Sequence, residues 1–247
     1  MQIFIDRVVR AGGAPEKRAG WLDRLQAERA AKRPVVLTVN LGTGRREILR
    51  PAASPHDAPA GALEIAATTR EALRSDSARL LSEREPRLFV QPFNPPLRVI
   101  IVGAVHIAQP LSQMATLAGY DVVIVDPRGA FASEARFPGI TLCREWPDEA
   151  LAALEIDERT AVVTLTHDPK LDDPALSVAL PSPAFYVGCL GSKRTQARRL
   201  ERLAQLGLSE DETHRIHGPV GLDIGARSPA EIAVSILAEI TARLHDH

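Results

Sequence analysis

Cysteine is nearly absent from this chain. Of its 247 residues only Cys143 and Cys189 are cysteines, so residues 1–95 contain none. Two thiols exclude a disulfide scaffold and a cysteine-rich metal site, and they suit a reducing compartment, so the expected location is the cytoplasm. Long apolar runs are missing too. No segment approaches the roughly 20 consecutive apolar residues that a membrane span needs. The opening MQIFIDRVVRAGG is charged and has no continuous apolar core, so no signal peptide is expected. Neither an internal repeat nor a low-complexity tract occurs. An excess of one charge is lacking as well. The formal net charge is -1, which gives no global attraction to nucleic acid.

What is present is the composition of a globular protein, with 45% apolar and 25% charged residues. The length allows a full core and is read as two domains. Residues 1–95 carry 16 basic and 11 acidic groups, and residues 96–247 carry 14 and 20. Parts of opposite sign can attract each other or a partner.

In the first part, residues 1–17 read as a loosely held arm and Arg18–Lys32 as a helix with Trp21, Leu22 and Leu25 on one face. Pro34–Leu41 reads as a strand. Gly42-Thr43-Gly44 signals a turn, and Arg46–Leu49 returns as a hairpin partner. Gly61–Leu81 reads as a helix and Leu88–Gln91 as a short strand. Pro92-Phe93-Asn94-Pro95-Pro96 continues neither a helix nor a central strand, and it sets the expected domain boundary.

Beyond that boundary, strands are expected at Arg98–Gly103, Asp121–Asp126, Ile140–Cys143, Ala161–Thr166 and Phe185–Gly188. Helices alternate with them at Ile107–Ala118, Asp148–Leu154, Pro174–Leu180, Ser192–Leu206 and Ser228–Leu244. Nearly continuous apolar strands between helices mean a parallel sheet covered on both faces. The expected fold is α/β: a doubly wound, Rossmann-like C-terminal domain over 96–247 beside a smaller N-terminal α+β domain over 1–95.

The chemistry-bearing residues fall at expected strand ends. RVIIVG ends on Gly103 and runs into a helix. Asp126 closes the next apolar run 23 residues later, the skeleton of a dinucleotide-binding βαβ unit. The middle glycine of that fingerprint is Val105, whose branched side chain should keep a pyrophosphate off the backbone. The first strand thus delivers Gly103 and His106, and the second Asp126 and Arg128. The fourth delivers Thr166, His167 and Asp168, and the fifth Gly188, Gly191, Ser192, Lys193 and Arg194. Ligands of open parallel sheets bind along this rim. Two glycines, a Ser192 N-cap and two cations in the first turn describe an anion site, against the alternative of a solvated basic helix start, since Arg198, Arg199 and Arg202 follow. Asp126 is a candidate ligand carboxylate or a cap for the Arg128 turn. The loop Gly218–Ala226 can bring Gly221 and Asp223 to the same rim, or simply pack the final helix. His106, His167 and Asp168 have no metal-ligand spacing, no G-x-S-x-G elbow surrounds Ser192, and Cys189 reads as a buried strand-end thiol.

DPRGAFASEARFPG (Asp126–Gly139), LTHDPKLDDPAL (Leu165–Leu176), YVGCLGSKRT (Tyr186–Thr195) and GPVGLDIGARSPAEIAVSILAEI (Gly218–Ile240) occur in this order. Together they resemble the Rossmann-type domain of the xanthine dehydrogenase accessory family, XdhC/CoxI. The resemblance implies a chaperone, not a catalyst. Such a protein binds molybdenum cofactor (molybdopterin), assists its sulfuration and delivers it to an apo-molybdoenzyme of the xanthine dehydrogenase or CO dehydrogenase type. A cysteine desulfurase is then a further partner, and a homodimer is compatible with the apolar final helix. Relatives usually carry a GGC segment in the N-terminal domain, which residues 1–95 lack. Two competing readings are an NAD-binding oxidoreductase, with Asp126 on the ribose, and a ligand-free adaptor for molybdoenzyme assembly.

Overall fold

Three strands set the architecture. β5 (Arg98–Val102), β6 (Asp121–Val125) and β8 (Thr160–Thr164) are rich in β-branched residues and buried on both faces. They pair in parallel within a six-stranded sheet of order β10-β9-β8-β5-β6-β7, completed by β7 (Thr141–Cys143), β9 (Tyr186–Cys189) and β10 (Ile216–His217). With β5 taken as the first strand this is the order 3-2-1-4-5-6 read backwards, with its switch point between β5 and β8. This computed structural model describes residues 20–51, 60–81 and 86–245. The arm read at residues 1–17 lies outside them.

Alternate residues of each strand serve opposite cores. Val99 and Ile101 pack with α3 (Ala108–Leu117) and α8 (Pro229–His245) through Leu111, Ala115, Ile236 and Ile240. Ile100 and Val102 face α4 (Pro147–Ala153), α5 (Pro169–Ala179) and α6 (Lys193–Gln205) through Leu151, Leu176 and Leu203. Each fully buried Val, Ile or Leu contributes roughly 1.5–3 kcal/mol. A short helix, α7 (Glu210–His214), leads into β10, and neither was expected from the sequence. α8 begins as expected: the Glu231 carboxylate accepts from Ser228 N–H, and Ser228 Oγ accepts from Glu231 N–H.

α5 starts at Pro169, earlier than the expected Pro174. Asp168 is its N-cap, accepting from Lys170 N–H at 3.0 Å, and Pro169 fills the first turn. Pro174 is tolerated inside the helix because the carbonyl it leaves unpaired belongs to exposed Lys170.

Contacts divide the chain into 1–95 and 96–247. The first unit holds α1 (Gly20–Ala30), β1 (Val35–Asn40), β2 (Arg46–Leu49), α2 (Ala60–Ser75), β3 (Arg79–Leu81) and β4 (Leu88–Phe93), in an antiparallel sheet β2-β1-β4-β3. Two expectations fail here. The helix read to Leu81 ends at Ser75, because Asp76 takes a left-handed φ of 50° and the chain returns as β3. β4 also runs through Pro92, which pairs with Val36 but lies beyond the reach of β3, so its missing N–H costs no ladder bond. Buried Glu28 anchors this unit, and its carboxyl is held down to about 2 by hydrogen bonds from Arg50 and Arg33.

Candidate functional site

The carboxyl ends of β5, β6, β8 and β9 share one rim because all four strands are parallel. At its centre the chain leaves β5 through Gly103, whose φ is +106°. A Cβ there would lie 2.5 Å from Thr166 Cγ2, so this glycine is required for close packing against the end of β8. Val105 is half-buried against the apolar core, and His106 is exposed on the turn before α3.

Asp126 has no solvent exposure. Its Oδ1 accepts from Arg128 N–H and Nε, both at 2.9 Å. Its Oδ2 accepts from Ala104 N–H at 2.8 Å and from Arg128 Nη2 at 2.7 Å. Burial pushes the carboxyl up, but Arg128 and the two backbone donors outweigh it and hold it below the usual carboxylate range. All four acceptor positions of the carboxylate are filled. Asp126 therefore ties β5 to the β6 turn, and it has no lone pair left for ribose hydroxyls. Arg128 in turn lies over the half-exposed Phe131 ring, 4.5 Å from its centroid.

The β8 turn places His167 at a left-handed φ of 59°, exposed to solvent. Thr166 Oγ1 accepts from Asp168 N–H at 3.0 Å and donates to Asp172 Oδ1 at 2.6 Å. Asp172 is buried, and burial raises its carboxyl above the ordinary range against the opposing pull of Thr166 and Arg199. Across from it α6 begins at Ser192, whose Oγ caps Thr195 N–H at 3.2 Å. Between these elements lies a cavity of about 430 Å³ lined by His167, Pro169, Asp172, Arg194, Thr195, Arg198, Arg199 and Arg202.

Its charges are unequal in their commitments. Arg202 is paired with Asp173 at 2.5 Å. Arg199, 2% exposed at its side chain, donates to Gln196 and to the Leu190 carbonyl and stands 3.7 Å from Asp172. Its Nε is buried without a partner. Arg194 and Arg198 are exposed, and their side chains have no ion pair among the described residues. The helix start is thus more than a solvated basic face: Arg199, one turn before buried Leu203, points its cation to the inside.

Of the residues singled out from the sequence, His167 and Arg194 line this cavity. Thr166 and Asp168 support it from the β8 turn, and Gly191 and Ser192 lead into α6. Lys193, His106 and Asp223 are exposed and do not line it. Gly188 is buried within β9 against Tyr186 and Val220. Gly221 donates its N–H to Glu239 at 2.7 Å, which fixes the loop to α8. Glu239 also accepts from Tyr186 and contacts His217, a packing cluster that sequence reading missed. Cys189 is fully buried, and burial pushes its thiol up to about 12. Among the described residues no group of three could hold a metal ion, and no helix is long and apolar enough to cross a membrane.

The model of the XdhC Rossmann domain matches residues 99–240. The molybdenum cofactor insertion chaperone PaoD of Escherichia coli is 38% identical over 62% of this chain and 42% of its own length. A probable xanthine dehydrogenase subunit from Bacillus subtilis is 33% identical over 64% of this chain and 46% of its own. The chain thus spans less than half the length of these curated relatives. A crystal structure of a xanthine dehydrogenase from Bacillus halodurans superposes with a TM-score of 0.66 at 26% identity, covering 93% of this chain and 65% of that one.

Proposed function

The chain belongs to the family of the XdhC Rossmann domain, and from that premise we propose that it carries molybdenum cofactor to an apo-molybdoenzyme of the xanthine dehydrogenase type. The observation that carries this reading is the arginine-lined cavity at the ends of β8 and β9. Molybdopterin is anionic through its phosphate. Arg194 and Arg198 offer two uncommitted guanidiniums. Guanidinium forks bind phosphate oxygens pairwise. The volume lies within the range of about 300–1,000 Å³ of small-molecule sites, room for a phosphate and part of the fused ring. The cofactor is cargo here, and the protein's share of the work is to bind, orient and shield it. The expected setting is the cytoplasm, with a cysteine desulfurase as the source of sulfur.

A transfer assay tests this. The protein loaded with molybdenum cofactor should restore activity to an apo-xanthine dehydrogenase, and Arg194→Ala/Arg198→Ala should lose at least about tenfold in that transfer. Transfer at equal rates by wild type and double variant would contradict the assignment.

The strand order is also that of dinucleotide-binding domains, which keeps the NAD reading in view. Asp126 argues against it, because Arg128 and two backbone donors fill its acceptor positions. Val105→Gly, which reopens the backbone, is therefore expected to leave NAD titration flat. A saturable NAD isotherm in that variant would show that Arg128 yields the carboxylate readily.

A further inference from the structure

The β8 turn holds a histidine where the backbone favours glycine. Thr166 Oγ1 accepts from Asp168 N–H, and the turn so closed puts His167 at a φ of 59°. Among the described residues three other non-glycine residues take a left-handed φ: Lys32, Asp76 and Glu155. Each follows a helix, α1, α2 and α4 in turn, where such a residue is an ordinary way to end it. His167 follows a strand and precedes a helix, so that reason does not apply to it. Packing does not account for its side chain either. His167 is exposed, and its imidazole has no hydrogen bond or ion pair among the described residues. What the side chain does is line the cavity, on the wall that the β8 turn and the start of α5 supply, whereas Arg194 and Arg198 belong to α6. Strained backbone of this kind gathers at ligand clamps.

We infer that His167 is a binding residue of this cavity, held in a left-handed turn so that its imidazole N–H donates to an anionic ligand lying between the β8 turn and α6. Of the side chains on its wall, Pro169 has no polar group and Asp172 is a carboxylate that offers an anion nothing, so His167 is the one donor there. An imidazole keeps at least one N–H in either protonation state. The α6 arginines supply the charge, and His167 supplies a hold from the other wall. The inference rests on the cofactor-carrier reading only for the identity of the natural ligand.

A ligand contact and a structural role predict opposite results for His167→Gly. Removing the strained side chain should raise the Tm of the full chain by about 2 °C, because the relief of the left-handed backbone exceeds the added freedom of glycine in the unfolded chain. The same variant should bind phenyl phosphate about tenfold more weakly by calorimetric titration. His167→Asn tolerates the left-handed backbone and keeps an N–H donor, so it should retain part of the affinity. Glu155→Gly is the control. Glu155 is exposed at a φ of 47° and does not line the cavity, so its replacement should gain comparable stability and leave binding unchanged. A lowered Tm in His167→Gly, wild-type affinity in that variant, or no binding of phenyl phosphate to wild type would overturn the inference. The two proposals fail separately. Weakened phenyl phosphate binding in His167→Gly, in a protein that purifies without pterin, leaves His167 its role and removes the carrier reading. Pterin that purifies equally with wild type and His167→Gly does the reverse.

Discussion

Asp126→Ala is expected to destabilise the protein by about 2–4 kcal/mol, from a buried donor left without an acceptor and a broken charge pair. The substitution orphans Ala104 N–H, which is buried, and Arg128 N–H. It also releases the Arg128 guanidinium, which is 37% exposed and recovers part of its loss by turning to water. In a chain of this size that corresponds to a fall in Tm of roughly 10 °C by calorimetry. Asp126→Asn should lose less, because one oxygen still accepts. The advantage of wild type over Asp126→Asn should also depend on pH. The folded carboxyl lies below its ordinary value of 3.8. Between the two values the unfolded chain binds more protons, so stability rises with pH there. The difference is therefore complete at neutral pH and shrinks as pH falls through the acid carboxylate range. A difference that grows in acid would contradict the role given to Asp126.

Gly103→Val should cost more, roughly 3–5 kcal/mol, by combining backbone strain with overpacking. The new Cβ would meet Thr166 Cγ2 at 2.5 Å and Thr166 N at 3.3 Å. Thr166 cannot swing away cheaply, since its hydroxyl is bonded to both Asp168 N–H and Asp172. The backbone φ of +106° adds strain whatever the space. Gly225→Ala separates the two contributions. Its φ is +73°, but nothing lies within 4 Å of the added methyl, so only strain of about 1 kcal/mol remains. Urea unfolding of both variants gives the comparison. Similar losses at the two positions would mean that the contact with Thr166 is soft and that the β8 turn is not held by Gly103.

The strands of the C-terminal sheet were legible because β5, β6 and β8 are apolar on both faces, which only a covered parallel sheet requires. β10 was not legible, since two residues between Arg215 and Gly218 carry no period. α7 is wholly polar, and only the Ser209 and Glu212 capping box announces it. α5 was started too late because Pro174 also fits a first helical turn, whereas the Asp168-Pro169 pair is the true start. At the site, the rim and the basic helix start could be read from the chain. The commitment of Asp126 could not, because nothing in Asp126-Pro127-Arg128 says that the guanidinium folds back on the carboxylate two residues earlier. Arg199 looked like one more solvated cation of α6. Its spacing of four residues from buried Leu203 was the available signal, since a residue there shares the inward face.

The most direct test of the account is the amount of pterin that purifies with the protein from cells making molybdenum cofactor, measured after oxidation to a fluorescent product. The account predicts a signal near one pterin per chain for wild type, about tenfold less for Arg194→Ala/Arg198→Ala, and wild-type loading for Lys193→Ala, whose side chain does not line the cavity. No pterin on wild type, in cells whose cofactor synthesis is confirmed, would contradict it, as would full loading of the double variant.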